Sequence, residues 1–233
     1  MSLKLAILAS GSGTNAQAIY EAVQRGVLDA DIRLVLSNRP GAKVLERAKA
    51  WDVPHVCLNH QAYTERVAFD RAMIAKIQAA GADTVALAGY MRLLTSEFLC
   101  AFPGRVLNIH PALLPAFKGV SGTAEAQAWG VKLTGCTVHF VSDEMDCGPI
   151  IIQACLPVLQ DEELNALQNR IHVLEHRIYP QALQWLAQGR LTLHGRQVRL
   201  TSPDRLDSPV MAAVPLADVP EPCCIWPPLE AGF

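Results

Sequence analysis

The sequence carries little charge and no surplus of either sign. Only 18% of its 233 residues are charged, and 20 basic residues against 22 acidic ones leave a net charge of -2. That balance argues against a surface built for nucleic acid or an acidic membrane. With 51% hydrophobic residues, the chain is also far from the polar compositions that cannot form a core. Long hydrophobic runs are missing too. The first apolar run, LKLAIL at residues 3–8, stops in a Gly/Ser loop, too soon for a signal-peptide core or a membrane span. With no targeting segment, a cytoplasmic location is expected. The 7 cysteines contain no C-x-x-C pair, and only Cys223 and Cys224 are adjacent. Such a set suits a reducing compartment better than a disulfide framework. No internal repeat is found, and the length suits one large domain, or one with an appendage.

What the sequence does have is alternation. LKLAIL, IRLVLSN, HVCL and TVALAGY are each followed by a stretch of helical period, over 15–26, 42–51, 63–80 and 95–102, and RVLNIH reads as the next strand. This predicts an α/β fold with an open, twisted, mostly parallel sheet and helices on both faces. A short helix over 118–130 follows. GCTVHFVS and PIIIQACLPV then read as antiparallel strands joined through 143–148, before a helix over 162–189 and a terminal hairpin, RLTLHGRQVRL. From Thr201 the chain is rich in Pro and Ala without period, and a loosely packed tail is expected.

Four short stretches could carry chemistry. SGSGTN, residues 10–15, lies between the first strand and the first helix, where glycines allow a tight turn and unpaired N–H groups can cradle a phosphate. It lacks the third glycine of a dinucleotide fingerprint and the Gly-Lys-Ser/Thr of a P-loop, so a plain turn competes evenly. NIHPALLP, residues 108–115, ends a strand with Asn108 and His110 two apart and therefore on one side, while Pro111 fixes the backbone of His110. Ligands of open α/β sheets bind beyond such strand ends, although Asn and His could merely cap one. SDEMDCG, residues 142–148, is either an exposed acidic turn or the source of a carboxylate that pairs with a histidine. HVLEH, residues 172–176, has the spelling of an inverted zinc-peptidase motif, but no third ligand is apparent and a polar patch on a helix explains it better.

Together these stretches resemble the formyltransferase family, and within it the folate-dependent glycinamide ribonucleotide transformylases. The resemblance runs in order through AILASGSGTN, LAGYMRLL at 87–94, GRVLNIHPALLPAFKG at 104–119, TGCTVHFVSDEMDCGPII at 134–151 and EHRIYP at 175–180. It implies a Rossmann-like formyltransferase domain over about 1–200, with a phosphate-binding half to about 100 and a folate-binding, catalytic half beyond it. Residues 201–233 are then a tail.

The resemblance also assigns roles. Asn108, His110 and Asp146 would be catalytic: His110 as general acid and oxyanion stabiliser, Asn108 as a second oxyanion donor, and Asp146 orienting and charging His110. Gly13, Thr14 and Asn15 would hold the ribose phosphate, with His172, Val173, Leu174 and Glu175 also meeting the ribonucleotide. The folate would lie against Arg66, Met91, Arg92, Leu93, Leu94, Asn108, Ser142, Asp143, Glu144, Met145 and Asp146. The implied reaction moves the formyl group of 10-formyltetrahydrofolate to the amine of 5'-phosphoribosylglycinamide in purine biosynthesis. No metal is implied. The expected partners are small molecules, not nucleic acid or membrane, and the expected state is a monomer or homodimer. Relatives usually carry a His or other polar residue where Ser121 and Gly122 stand, and a smaller residue than Cys147. An amino-sugar acceptor remains the alternative within the same chemistry.

Overall fold

The computed structural model describes residues 2–201, 213–216 and 219–233. The chain divides into two compact units, Met1–Asn108 with Phe140–Asp143, and Ile109–His139 with Glu144–Phe233. Among the described residues, no helix is long and apolar enough to cross a membrane.

The first unit is a run of β-α-β crossovers: β1 (Leu3–Leu8), α1 (Thr14–Gln24), β2 (Ala30–Ser37), α2 (Lys43–Ala50), β3 (His55–Cys57), α3 (Arg66–Ala79), β4 (Thr84–Leu87), α4 (Ser96–Ala101) and the start of β5 (Val106–His110). Its strands pair in parallel in the order β3-β2-β1-β4-β5. Both faces of this sheet are buried. On one, Ala6 and Leu8 of β1 and Leu34 and Leu36 of β2 pack with Phe69, Met73 and Ile77 of α3 and Phe98 of α4. The alternate residues Leu5, Ile7 and Val35 are buried as well, along with Ile19 of α1 and Val44 and Ala48 of α2, the helices that pack on β2. Burial on both faces is why these strands read as continuous apolar runs. The strand order reverses between β1 and β4, the position beyond which open α/β sheets bind their ligands. One boundary differs from expectation. TVALAGY yields a strand only to Leu87, because Gly89 takes a positive φ of 73° and turns the chain.

The second unit holds the end of β5, α5 (Gly122–Ala128), β6 (Leu133–Phe140), β7 (Ile150–Pro157), α6 (Leu164–Ala187), β8 (Leu191–His194), β9 (Gln197–Leu200), β10 (Ala213–Leu216) and β11 (Val219–Trp226). β6 and β7 are antiparallel as expected, and β8 and β9 form the expected hairpin. Leu167, Ile171, Leu174, Ile178 and Leu183 of α6 are fully buried, and α6 packs on β7 and β11. The expected helix over 118–130 starts only at Gly122, since Phe117 and Gly119 both hold positive φ and form a turn instead.

The expectation of a loosely packed tail is corrected where the chain is described. β11 pairs antiparallel with both β7 and β10, and Cys223, Ile225 and Phe233 are buried. Glu230 accepts from Arg190, its N–H donates to Gln181 Oε1 at 2.8 Å, and the Phe233 carbonyl accepts from Arg177. The prolines hid this strand. Pro220 and Pro222 lie before the segment, Cys224 to Trp226, that pairs with β7, so no N–H needed for that ladder is missing. The rest of the proposed tail lies outside the described residues.

Candidate active site

In the first unit, the loop after β1 is shaped by its backbone. Gly13 caps α1 in the left-handed region at φ 73°, with no side-chain cap and no acidic residue in the helix's first turn. A Cβ at Gly13 would lie 2.6 Å from Val44 Cγ2, so both the dihedral and the close approach of α2 require glycine. The first-turn N–H groups and the positive end of the helix dipole then point at whatever sits beyond the loop, an arrangement that favours an anion. Arg47 adds a cation beside it. Its Nε donates to Ser12 O at 2.9 Å and its Nη1 to Gln17 Oε1 at 2.9 Å.

Ser10 ties this loop to two others. Its hydroxyl donates to Asn38 Oδ1 at 2.6 Å and accepts from the Met91 N–H at 2.9 Å, while its own N–H donates to Gly89 O at 3.0 Å. Residues 91–94 are thereby anchored at one end to the loop after β1. At the other end the buried Asp70 carboxylate accepts from both the Thr95 N–H and the Thr95 hydroxyl. Between these anchors Met91 and Leu93 are exposed apolar side chains, and Arg92 stacks over the Phe69 ring at 5.1 Å. Tethered ends with two large apolar groups facing solvent describe a wall for a flat, partly apolar ligand. Burial and the neighbouring Asp70 also push the Tyr90 phenol well up, keeping it neutral next to this loop. Arg66 is exposed at the first position of α3, one turn before Phe69.

In the second unit, His110 and Asp146 meet. His110 is buried at the end of β5, and its Nδ1 lies 3.5 Å from Asp146 Oδ2. The other carboxylate oxygen, Oδ1, lies 3.8 Å from Nε2 of His139, also buried, so one carboxylate faces two imidazoles. Asp146 reaches this position with φ of 53°, and the Gly119 N–H donates to its Oδ2 at 2.8 Å. The other nitrogen of His110, Nε2, donates to the Phe117 carbonyl at 2.8 Å, since a carbonyl can only accept. Side chains hold the surrounding loop. Thr137 Oγ1 donates to Ala112 O and accepts from the Leu114 N–H, Gln153 Nε2 donates to Leu114 O, and Thr123 Oγ1 donates to Pro111 O.

The remaining expected residues fall as follows. Asn108 is half-buried, closes the first unit, and sits two residues before His110 on β5, so strand alternation sends both side chains the same way. Ser142 and Asp143 belong to the first unit, and Glu144 and Met145 are exposed in the second. Along α6, His172 and Val173 are half-buried, and Leu174 and Glu175 are buried. His172 and His176 stack at 6.2 Å, and burial lowers the His172 pKa. Among the described residues, no group of three or more His, Cys, Asp and Glu side chains could hold a metal ion.

Several participants escape a reading of the sequence. Ser10, Asn38 and Arg47 act over long separations, and His139 sits inside an apolar strand with nothing local to mark it. Gly122 is explained by its surroundings. A Cβ there would come within 2.9 Å of Phe117 O and 3.1 Å of His110 Nε2, so a side chain would disturb the histidine directly. Cys147, next to Asp146, accepts from Lys118 Nζ at 2.9 Å.

Comparison with known proteins agrees with this geometry. The formyl transferase family model matches residues 3–183. The phosphoribosylglycinamide formyltransferase of Bacillus subtilis (strain 168) is 40% identical over 183 residues, 78% of this chain and 94% of that protein. That of Escherichia coli (strain K12) is 39% identical over 192 residues, 82% of this chain and 91% of that protein. The crystal structure of glycinamide ribonucleotide transformylase 1 from Symbiobacterium toebii superposes with a TM-score of 0.85 at 47% identity, covering 86% of this chain and 95% of that one. With a family model that spans most of its length, and relatives of this identity covered almost end to end, the chain belongs to the formyl transferase family.

Proposed function

We propose that the protein transfers the formyl group of 10-formyltetrahydrofolate to the amine of 5'-phosphoribosylglycinamide, giving formylglycinamide ribonucleotide and tetrahydrofolate in purine biosynthesis. The observation that carries this reading is the buried His110–Asp146 pair in a chain that also keeps the glycine-forced phosphate loop. The substrates follow from relatives that bear the transformylase name and align over nearly their whole length.

The chemistry needs two things. As the amine attacks the formyl carbon, the carbonyl oxygen becomes negative, and the folate nitrogen must gain a proton as its bond to that carbon breaks. An imidazolium meets both needs. In this reading His110 donates through Nε2 to the developing oxyanion, which takes the place the Phe117 carbonyl holds at rest, and delivers its proton to the leaving nitrogen, while the proton shed by the attacking amine restores the imidazolium. Asn108 adds a neutral donor. Asp146 fixes the ring through Nδ1 and balances its charge, and His139 holds the far carboxylate oxygen.

Gly13, Thr14 and Asn15 take the phosphate, while Arg66, Met91, Arg92, Leu93 and Leu94, with the turn of Ser142, Asp143, Glu144, Met145 and Asp146, take the folate. His172, Val173, Leu174 and Glu175 meet the ribonucleotide. The phosphate-binding half spans about residues 1–100 and the folate-binding, catalytic half about 101–200. The partners are these small molecules, in the cytoplasm, and the protein acts as a monomer or homodimer. Assay of the purified protein with 10-formyltetrahydrofolate tests the reading. Tetrahydrofolate release should require 5'-phosphoribosylglycinamide, and release that instead requires an amino sugar would replace the acceptor.

A further inference from the structure

The paired β7 and β11 bring two thiols face to face. Cys224 lies directly opposite Cys155 in the antiparallel register, with Ile225 opposite Ala154 and Trp226 opposite Gln153. Alternation sorts these residues onto two faces. Ala154, Cys223 and Ile225 are buried, whereas Cys155 and Cys224 are only half-buried and Trp226 is exposed. Directly opposed residues of an antiparallel pair have Cα atoms about 4.5–5.5 Å apart, inside the range of about 4.4–6.8 Å that a disulfide spans.

We propose that Cys155 and Cys224 are an oxidation site that closes to a cross-strand disulfide and fastens β11 to β7. The oxidant is a small-molecule disulfide such as oxidised glutathione. One cysteine thiolate attacks it, forming a mixed disulfide and releasing one glutathione thiolate. The second cysteine thiolate then attacks the protein sulfur, forms the Cys155–Cys224 bond and releases the second glutathione. The protein pair loses two electrons and two protons, and the glutathione disulfide gains the electrons.

Position gives this site a consequence. The family model ends at residue 183, so β11 is an addition beyond the family domain, and the bond would make it a covalent part of the sheet. Burial and the adjacent Cys224 raise the Cys155 pKa, so closure should quicken as pH rises.

The test uses the full-length protein, first reduced and then equilibrated with a graded glutathione redox series. Remaining thiols are blocked and peptides are mapped without reduction. A linked peptide containing Cys155 and Cys224 is expected, with two thiols lost per chain and none of this link in Cys155→Ser or Cys224→Ser. The melting temperature should rise by about 5 °C or more on oxidation, because the bond closes a loop of roughly seventy residues. Mapping that finds only glutathione adducts, or Cys155 joined to Cys223, overturns the proposal on the wild-type protein alone, whether or not the serine variants fold.

Discussion

In the first unit the turn after β1 is shaped by main chain, with the Ser10 and Arg47 side chains tying it to its neighbours. Gly13 has no side chain to lose, its shape is set by a positive φ and by Val44, and the groups it offers a ligand are amide N–H donors. In the second unit the working groups are side chains. His110, Asp146 and His139 converge from β5, a turn and β6, and the backbone around them is strained into place at Phe117 and Asp146. A backbone site should tolerate changes of charge but not of shape. A side-chain site should tolerate neither at the atoms that react, yet its loss should leave whatever the first unit's backbone binds in place.

The largest effects should come from breaking the second unit's pair. His110→Ala is expected to lower kcat by about 10²- to 10³-fold, with little change in KM for the ribonucleotide and a melting temperature lower by a few degrees, because a buried ring with two partners is lost. Asp146→Asn should cost about 10²-fold, because the amide still accepts from the Gly119 N–H but cannot balance an imidazolium. Stopped-flow or initial-rate assays of tetrahydrofolate release give both values. A raised KM with unchanged kcat in either variant would move these residues from chemistry to binding.

Gly13→Ala probes the other kind of site. The new Cβ would stand 2.6 Å from Val44 Cγ2 at an unfavourable φ, for a cost of about 1–3 kcal/mol. We expect a melting temperature lower by several degrees and a KM for the ribonucleotide up by about tenfold. Enlarging a site that is merely a loop would change stability alone. Arg47→Gln should act more gently, raising the same KM about two- to fivefold at low salt, with the difference shrinking as salt is added.

The contrast also explains what could be read in advance. The parallel sheet was legible because both its faces are buried, so LKLAIL and IRLVLSN are continuous apolar runs. NIHPALLP was legible because two polar residues and two prolines interrupt such a run at a strand end. Groups that work through tertiary contact left no local trace. Arg47 reaches a carbonyl 35 residues earlier, Ser10 binds an amide 81 residues later, and His139 is one of three buried polar residues in an otherwise mostly apolar strand. β11 was illegible for the opposite reason. Its prolines argue against a strand, and only the register shows that they fall outside the ladder with β7.

The smallest effect concerns His172. Burial lowers its pKa in the folded protein, so below the unfolded value of about 6.5 the unfolded chain binds the extra proton and the folded one resists it. Stability from this group is therefore present above about pH 6.5 and declines as pH falls through that value toward the folded pKa. His172→Gln should narrow the gap in melting temperature between pH 7.5 and pH 5.5 by about 1–2 °C.

The division of labour itself is tested most directly by comparing 5'-phosphoribosylglycinamide with the same riboside lacking its phosphate, at fixed 10-formyltetrahydrofolate. The wild-type protein should lose about 10²-fold or more in kcat/KM with the riboside, chiefly through KM. The residual activity of His110→Ala should show the same discrimination. Equal turnover of the two acceptors by the wild type, or discrimination that vanishes with His110, would contradict a phosphate site built from the first unit's backbone and a formyl-transfer site built from the second unit's side chains.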